Sequence, residues 1–271
     1  MTRSWITAFR QLGATVVLAM LATACAQNQP PRTEPASDPP LSILWVGNSF
    51  FYSNNSMHSH VLGLARADDP KSKARGVSVT ISGAGISWHD MASYLRPDGI
   101  GRYSFVGANE VVFNKAGHQF DAVIIQDCSL CPVHPQLQRV FHEYAKKQSD
   151  IVRANGAQPI FFMTWAYKDK PDMGPQVAEQ YTIAGRANNA LVIPAGLAFA
   201  SAIAKWPDLE LYQADKREPS LAGTYLAACT TYAAVSRKSP VGNTYTAGLD
   251  TKTARSLQEV AWETVQAYNA R

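Results

Sequence analysis

Residues 43–55 read ILWVGNSFFYSNN, and residues 211–229 read LYQADKREPSLAGTYLAAC. The first stretch begins as an apolar, β-branched and aromatic run, breaks at Gly47, and continues from a serine into a second apolar patch. A serine on a tight turn between strand and helix has an exposed hydroxyl and backbone N–H groups nearby. That arrangement suits a nucleophile that must also stabilise an oxyanion. The spacing is not that of a G-x-S-x-G elbow, because Phe51 occupies the last place. Taken alone, Ser49 reads first as a helix-entry or turn residue.

Working outward, short apolar runs alternate with longer helical patterns. This predicts a mostly parallel sheet with helices on both faces. The predicted strands are Ser42–Val46, Val77–Ile81, Ala122–Gln126, Ile160–Thr164 and Leu191–Ile193, each as apolar as a strand buried on both faces should be. Ser56 is placed to cap a helix carrying Met57, Val61 and Leu64. Pro135 opens a longer helix that Gly156 stops, Ser220 opens another, and a last helix spans about Ala254–Tyr268. In such a sheet, ligands bind outside the carboxyl ends of the strands.

The chain has 271 residues, 46% hydrophobic and 17% charged. Arg3 and Arg10 precede an apolar run, Leu12–Ala22, that ends in small residues and Cys25. This reads as an export signal over residues 1–25, with an apolar run well short of the ~20 residues a bilayer span needs. Cys25 is a candidate for lipidation; cleavage after Ala24 or Ala26 without a lipid is the alternative. Residues 26–40, AQNQPPRTEPASDPP, are Pro-rich and polar and suit a linker. Residues 41–271 then form a single domain. The expected location is the periplasm or cell envelope, with membrane contact only through an N-terminal lipid. Removing residues 1–25, which carry two arginines and no acid, lowers the net charge from +4 to +2. No basic run or stripe points to nucleic acid, and no residue pattern calls for a cofactor or metal.

The strand ends carry the chemistry. Ser82-Gly83-Ala84-Gly85 follows the second strand; glycine there lets backbone N–H groups approach a ligand closely. Gln126-Asp127-Cys128-Ser129-Leu130-Cys131-Pro132 ends the third, and Trp165 and Tyr167 follow the fourth. Trp88, Trp165 and Tyr167 either line a cleft or pack beneath loops.

Read in order over residues 41–240, these segments resemble the SGNH/GDSL hydrolases, closest to a bacterial branch with GNSF in the first motif block. The resemblance implies a three-layer α/β/α, flavodoxin-like fold of about five strands, and an esterase acting on acyl or acetyl esters, including those of carbohydrates. Ser49 matches the nucleophile, and Gly83 the second-block glycine of the oxyanion hole. Asp215-x-x-Glu218-Pro219-Ser220 matches the last block, Asp-x-x-His-Pro-Ser, which places Asp215 on the triad acid. Three residues depart from the pattern. Asn48 replaces the Asp of the name motif. Gln126 stands near the third-block oxyanion donor; Gly83, Gln126 and Asn48 are thus the oxyanion or substrate-binding candidates. Glu218 replaces the catalytic histidine.

A serine needs a base to take its proton and an acid to return it to the leaving group. Histidine, with a pKa near ~6.5, does both at neutral pH, whereas an ordinary glutamate at about 4.3 does neither well. General acid–base catalysis contributes roughly 10²–10⁴-fold, so the resemblance predicts an impaired or atypical hydrolase. His134 and His89, just after strands, are candidate substitute bases. His58, His60, His118 and His142 read as surface or helix-flank residues. Two alternatives remain: a non-catalytic envelope protein that binds a glycan or ester, and a thiol redox protein using Cys128 and Cys131. Zinc at Cys128, Cys131 and His134 lacks a fourth ligand.

Overall fold

The computed structural model describes residues 39–107, 110–114, 117 and 119–271. The expected export signal, Cys25 and the linker up to residue 38 lie outside the described residues. The strands are β1 (Ser42–Gly47), β2 (Arg75–Thr80), β3 (Tyr103–Gly107), β4 (Glu110–Phe113), β5 (Ala122–Ile125), β6 (Gln158–Phe162) and β7 (Leu191–Ile193). The helices are α1 (Ser49–Tyr52), α2 (Met57–Asp68), α3 (Met91–Leu95), α4 (Gln138–Ala154), α5 (Met173–Ala187), α6 (Ala195–Lys205), α7 (Leu221–Ser236) and α8 (Thr251–Asn269).

Side chains alternate across a strand, and here both faces are covered. Ile43 and Trp45 of β1 join a core with α2, α6, α7 and α8; Leu44 and Val46 join another with α3, α4 and α5. That is why β1, β5, β6 and β7 read as mainly apolar runs, whereas the edge strand β2, RGVSVT, is half-buried throughout. The five-stranded sheet has the order β2-β1-β5-β6-β7, and every neighbouring pair is parallel. Without the hairpin β3–β4 this is the flavodoxin-like order 2-1-3-4-5, whose direction reverses between β1 and β5. The expected three-layer sheet is present, and its topological switch point lies where the Ser49 turn meets the Gln126–Asp127 segment.

Some elements were not foreseen. Strands β3 and β4 pair antiparallel outside the main sheet, with Tyr103, Phe105 and Phe113 exposed. No strand was predicted there, and α5 and α6 were not assigned. Helix α4 starts three residues after Pro135, because residues 134–138 first make a turn on the His134 carbonyl. Helix α7 is buried at every residue from Ala222 to Val235, so no polar face marks it in sequence. Among the described residues, no helix is long and apolar enough to cross a membrane.

One close approach fixes the loop that precedes α7. Ser220 caps this helix by accepting from the Gly223 N–H, and its own N–H donates to the Leu211 carbonyl. A Cβ on Gly223 would lie 2.2 Å from that carbonyl oxygen. Gly223→Ala must therefore move either α7 or the 211–220 loop. Overpacking of this kind costs about 1–3 kcal/mol, so thermal denaturation of Gly223→Ala should show a clearly lowered Tm.

Candidate active site

Asn48 ends β1 and organises the turn. Its Oδ1 accepts from the Phe50 N–H at 3.3 Å and from Gln126 Nε2 at 2.9 Å; its Nδ2 donates to the carbonyls of Ala84 (2.9 Å) and Asp127 (3.4 Å). One buried amide thus ties together the loops after β1, β2 and β5. Both residues are buried. The Asn48 amide gives both of its protons to backbone carbonyls, so Asn48 is not the oxyanion donor the sequence suggested, while Gln126 Nε2 is turned to Asn48 and Gln126 Oε1 has no partner among the described residues. Gly83 is different. It is exposed, with φ +68°, and neither its N–H nor that of Ser49 bonds to another described residue.

Helix α1 is a single turn, so Ser49 and Ser53, four residues apart, lie on one face. Both reach Glu218. Ser49 Oγ donates to Oε1 at 2.5 Å, and Ser53 Oγ donates to Oε2 at 3.0 Å. All three residues are half-buried.

The loop that presents Glu218 is tightly closed. Tyr212 and Pro219 form an antiparallel bridge, and the Gln213 N–H donates to the Glu218 carbonyl at 2.8 Å. Asp215 Oδ1 accepts from the N–H groups of Arg217 and Glu218, each at 3.0 Å, while Lys216 takes a positive φ of 64°. Trp165 Nε1 donates to the Arg217 carbonyl at 3.0 Å from the neighbouring strand end. Asp215 is therefore a loop-former and not a triad acid. An imidazole would offer it an N–H to orient, whereas a glutamate side chain offers only oxygens.

Asn54 locks the two segments together. Its Nδ2 donates to the Pro219 carbonyl and to Thr224 Oγ1, each at 2.8 Å. Its own carbonyl meets His60 Nε2 at 2.6 Å, and His60 Nδ1 meets the Tyr245 hydroxyl at 2.8 Å. His60, expected at a surface or helix flank, is thus a buried brace for the Asn54 turn. Ser53 and Asn54 were not singled out by sequence. Their signal was the polar run Ser53-Asn54-Asn55 interrupting an apolar stretch, with positive φ at both asparagines.

The proposed substitute bases stand elsewhere. His89 is buried near the Gly47 carbonyl, with Nδ1 3.4 Å from the Tyr94 hydroxyl. Burial lowers its pKa, outweighing the opposing pull of the Gly47 carbonyl. His134 Nδ1 accepts from the Gln136 N–H at 3.2 Å. Neither histidine hydrogen-bonds to Ser49. Trp165 is buried and stacked between Phe50 (4.5 Å) and Phe199 (4.2 Å), so it is packing beneath the loops. Trp88 remains 64% exposed beside the second-strand loop.

Cys128 and Cys131 are joined in a disulfide, with S–S 2.08 Å, so neither sulfur is a free thiolate for a metal. Beneath the bridge, Asp127 Oδ1 accepts from the N–H groups of Ile86 (2.7 Å) and Cys128 (2.8 Å). Burial pushes its carboxyl up to about 6, against the pull of those two N–H bonds.

No family model matches the chain, and no curated protein matches it in sequence. Solved structures do match. A DUF4886 family protein from Bacteroides uniformis is 16% identical with a TM-score of 0.60, covering 84% of this chain and 96% of its own. A candidate SGNH hydrolase from Slackia heliotrinireducens is 24% identical with a TM-score of 0.55, covering 72% and 98%. A member of the lipolytic G-D-S-L family from Veillonella parvula is 12% identical with a TM-score of 0.51, covering 73% and 99%. This chain has the SGNH/GDSL hydrolase fold. At such identities the SGNH likeness concerns the backbone, and the side chains at the crevice must be read on their own terms.

In this SGNH fold the buried Asp127 links the β5 end to the Gly85–Ile86 turn. Its carboxyl is raised from 3.8 to about 6, so the folded state binds its proton more tightly than the unfolded chain does. The linked stability is fully present below about pH 4 and is lost as pH rises through about 6. It amounts to about 3 kcal/mol at most, at about 1.4 kcal/mol per pKa unit. Asparagine keeps an acceptor for both N–H groups without the charge. The Tm of the wild type relative to Asp127→Asn should therefore fall between about pH 4 and 7; a constant difference would contradict the assignment.

Proposed function

We propose that the protein is an exported ester hydrolase in which Ser49 is the nucleophile and Glu218 its proton acceptor. The single observation behind this reading is the 2.5 Å hydrogen bond from Ser49 Oγ to Glu218 Oε1, at the crevice where the sheet direction reverses. As Ser49 Oγ bonds to the ester carbonyl carbon, its proton passes to Glu218 Oε1. The carbonyl oxygen takes the negative charge, and the unpaired N–H groups of Ser49 and Gly83 are its donors. When the carbon–oxygen bond to the alcohol breaks, the proton on Glu218 goes to the departing oxygen. Water then repeats the sequence on the acyl-enzyme.

A carboxylate in this role favours weakly basic leaving groups, because they depart with little help from an acid. The substrate class is a small acyl ester, and the exposed Trp88 offers a stacking surface for a sugar-bearing acetyl ester. Among the described residues no imidazole hydrogen-bonds to Ser49, which supports a second reading, a glycan- or ester-binding protein on the same scaffold. Turnover separates them. Purified protein should hydrolyse p-nitrophenyl acetate, with Ser49→Ala and Glu218→Gln each lowering kcat by about 10²-fold or more. If both variants match the wild type, the hydrolase reading fails. If the wild type is inert and Glu218→His creates activity, the binding reading stands.

The export signal and Cys25 support placement in the cell envelope on a lipid anchor. Fractionation of cells expressing the full chain should then find it with membranes, and Cys25→Ser should release it to the soluble fraction. An unchanged distribution would leave plain signal cleavage as the account.

A further inference from the structure

Resting on the hydrolase reading, we propose that Ser53 is a positioning residue that holds the Glu218 carboxylate so that Oε1, and not Oε2, faces the nucleophile. A glutamate side chain ends in two equivalent oxygens on a bond that rotates readily. Nothing in its own chemistry selects which oxygen meets Ser49. Ser53 supplies the selection. Its hydroxyl donates to Oε2 at 3.0 Å from the same face of the one-turn helix that carries Ser49. The Ser53 N–H donates to the Ser49 carbonyl at 2.9 Å, so the two serines are held at a fixed separation. In the histidine enzymes that this motif resembles, an acid orients the base. Here Asp215 is committed to backbone N–H groups, and the orienting contact comes from the nucleophile's own helix.

The hydroxyl keeps its proton throughout. With Glu218 ionised, Ser53 donates to a carboxylate oxygen. With Oε1 protonated, it still donates to Oε2, which is then carbonyl-like. The proton exchange with Ser49 proceeds without breaking the Ser53 contact. Charged groups near Glu218 come from its own loop. Asp215 binds its N–H, Lys216 Nζ lies 4.0 Å from Asp169 Oδ2, and the Arg217 guanidinium sits 4.8 Å over the Tyr167 ring. From the facing strand-end loop, Lys168 pairs with Glu210. Residues 48–57 and 219–236, which pack around the site, contain no acidic or basic side chain.

The test is kcat and KM for p-nitrophenyl acetate hydrolysis by wild type, Ser53→Ala, Ser53→Thr and Glu218→Gln, with a Tm for each. Ser53→Ala should lower kcat about tenfold at near-constant KM and near-constant Tm. Ser53→Thr, which restores a hydroxyl, should recover the rate. If Glu218→Gln is inactive while Ser53→Ala keeps the wild-type kcat, the positioning role is overturned and the base assignment survives. If Glu218→Gln is fully active, the base assignment falls, and this proposal with it. If Ser53→Ala loses rate together with Tm and Ser53→Thr does not rescue it, Ser53 is a structural residue only and the proposal is overturned. A fluorophosphonate probe adds one more outcome: labelling that persists in Ser49→Ala and vanishes in Ser53→Ala would make Ser53 the nucleophile and overturn the proposal.

Discussion

Four hydrogen bonds join residues 49–54 to residues 218–224, and the site exists only because they do. Two come from serine hydroxyls to the Glu218 carboxylate; two come from the Asn54 amide to Pro219 and Thr224. The segments are far apart in the chain, yet each is pinned at its own base. Asn48 fixes the first to the neighbouring loops, and the Tyr212–Pro219 bridge fixes the second. Hydrogen bonds to charged groups contribute roughly 1.5–3 kcal/mol each. The carboxylate is thus both the proposed chemical group and a structural tie, and a change at Glu218 must be read for both effects.

The sheet explains why this contact falls where it does. Parallel strands buried on both faces place their carboxyl ends on one rim, and the order 2-1-3-4-5 opens a crevice between β1 and β5. Asn48 and Gln126 close the floor of that crevice with a buried amide pair, and Asp127 carries the bonding on to the Gly85–Ile86 turn. The disulfide Cys128–Cys131 sits directly after this aspartate. The Asn48 amide and the Asp127 carboxylate are turned inward to hold loops.

Most of the sheet was legible because period and composition suffice for strands buried on both faces; all five main strands fell within a few residues of their predicted places. The β3–β4 hairpin was not, since its aromatic side chains face outward and leave no burial signal in the pattern. At the site, the pairing of Ser49 with residue 218 followed from motif order alone. Orientation did not follow. Whether Asp215 points at a side chain or at backbone depends on the turn closed by Lys216 at positive φ, which the string DKRE does not announce. Ser53 escaped notice for a related reason: its role depends on the base being a carboxylate with a second oxygen to hold.

The central claim is that Glu218 activates Ser49 for covalent attack, and trapping the acyl-enzyme tests it most directly. Protein mixed with p-nitrophenyl acetate, quenched in acid within the first turnover and digested, should carry one acetyl group on the peptide containing Ser49. The same peptide from Glu218→Gln should acquire it far more slowly. An acetyl group found on another residue, or equal acetylation of Ser49 with and without the Glu218 carboxylate, would contradict the account.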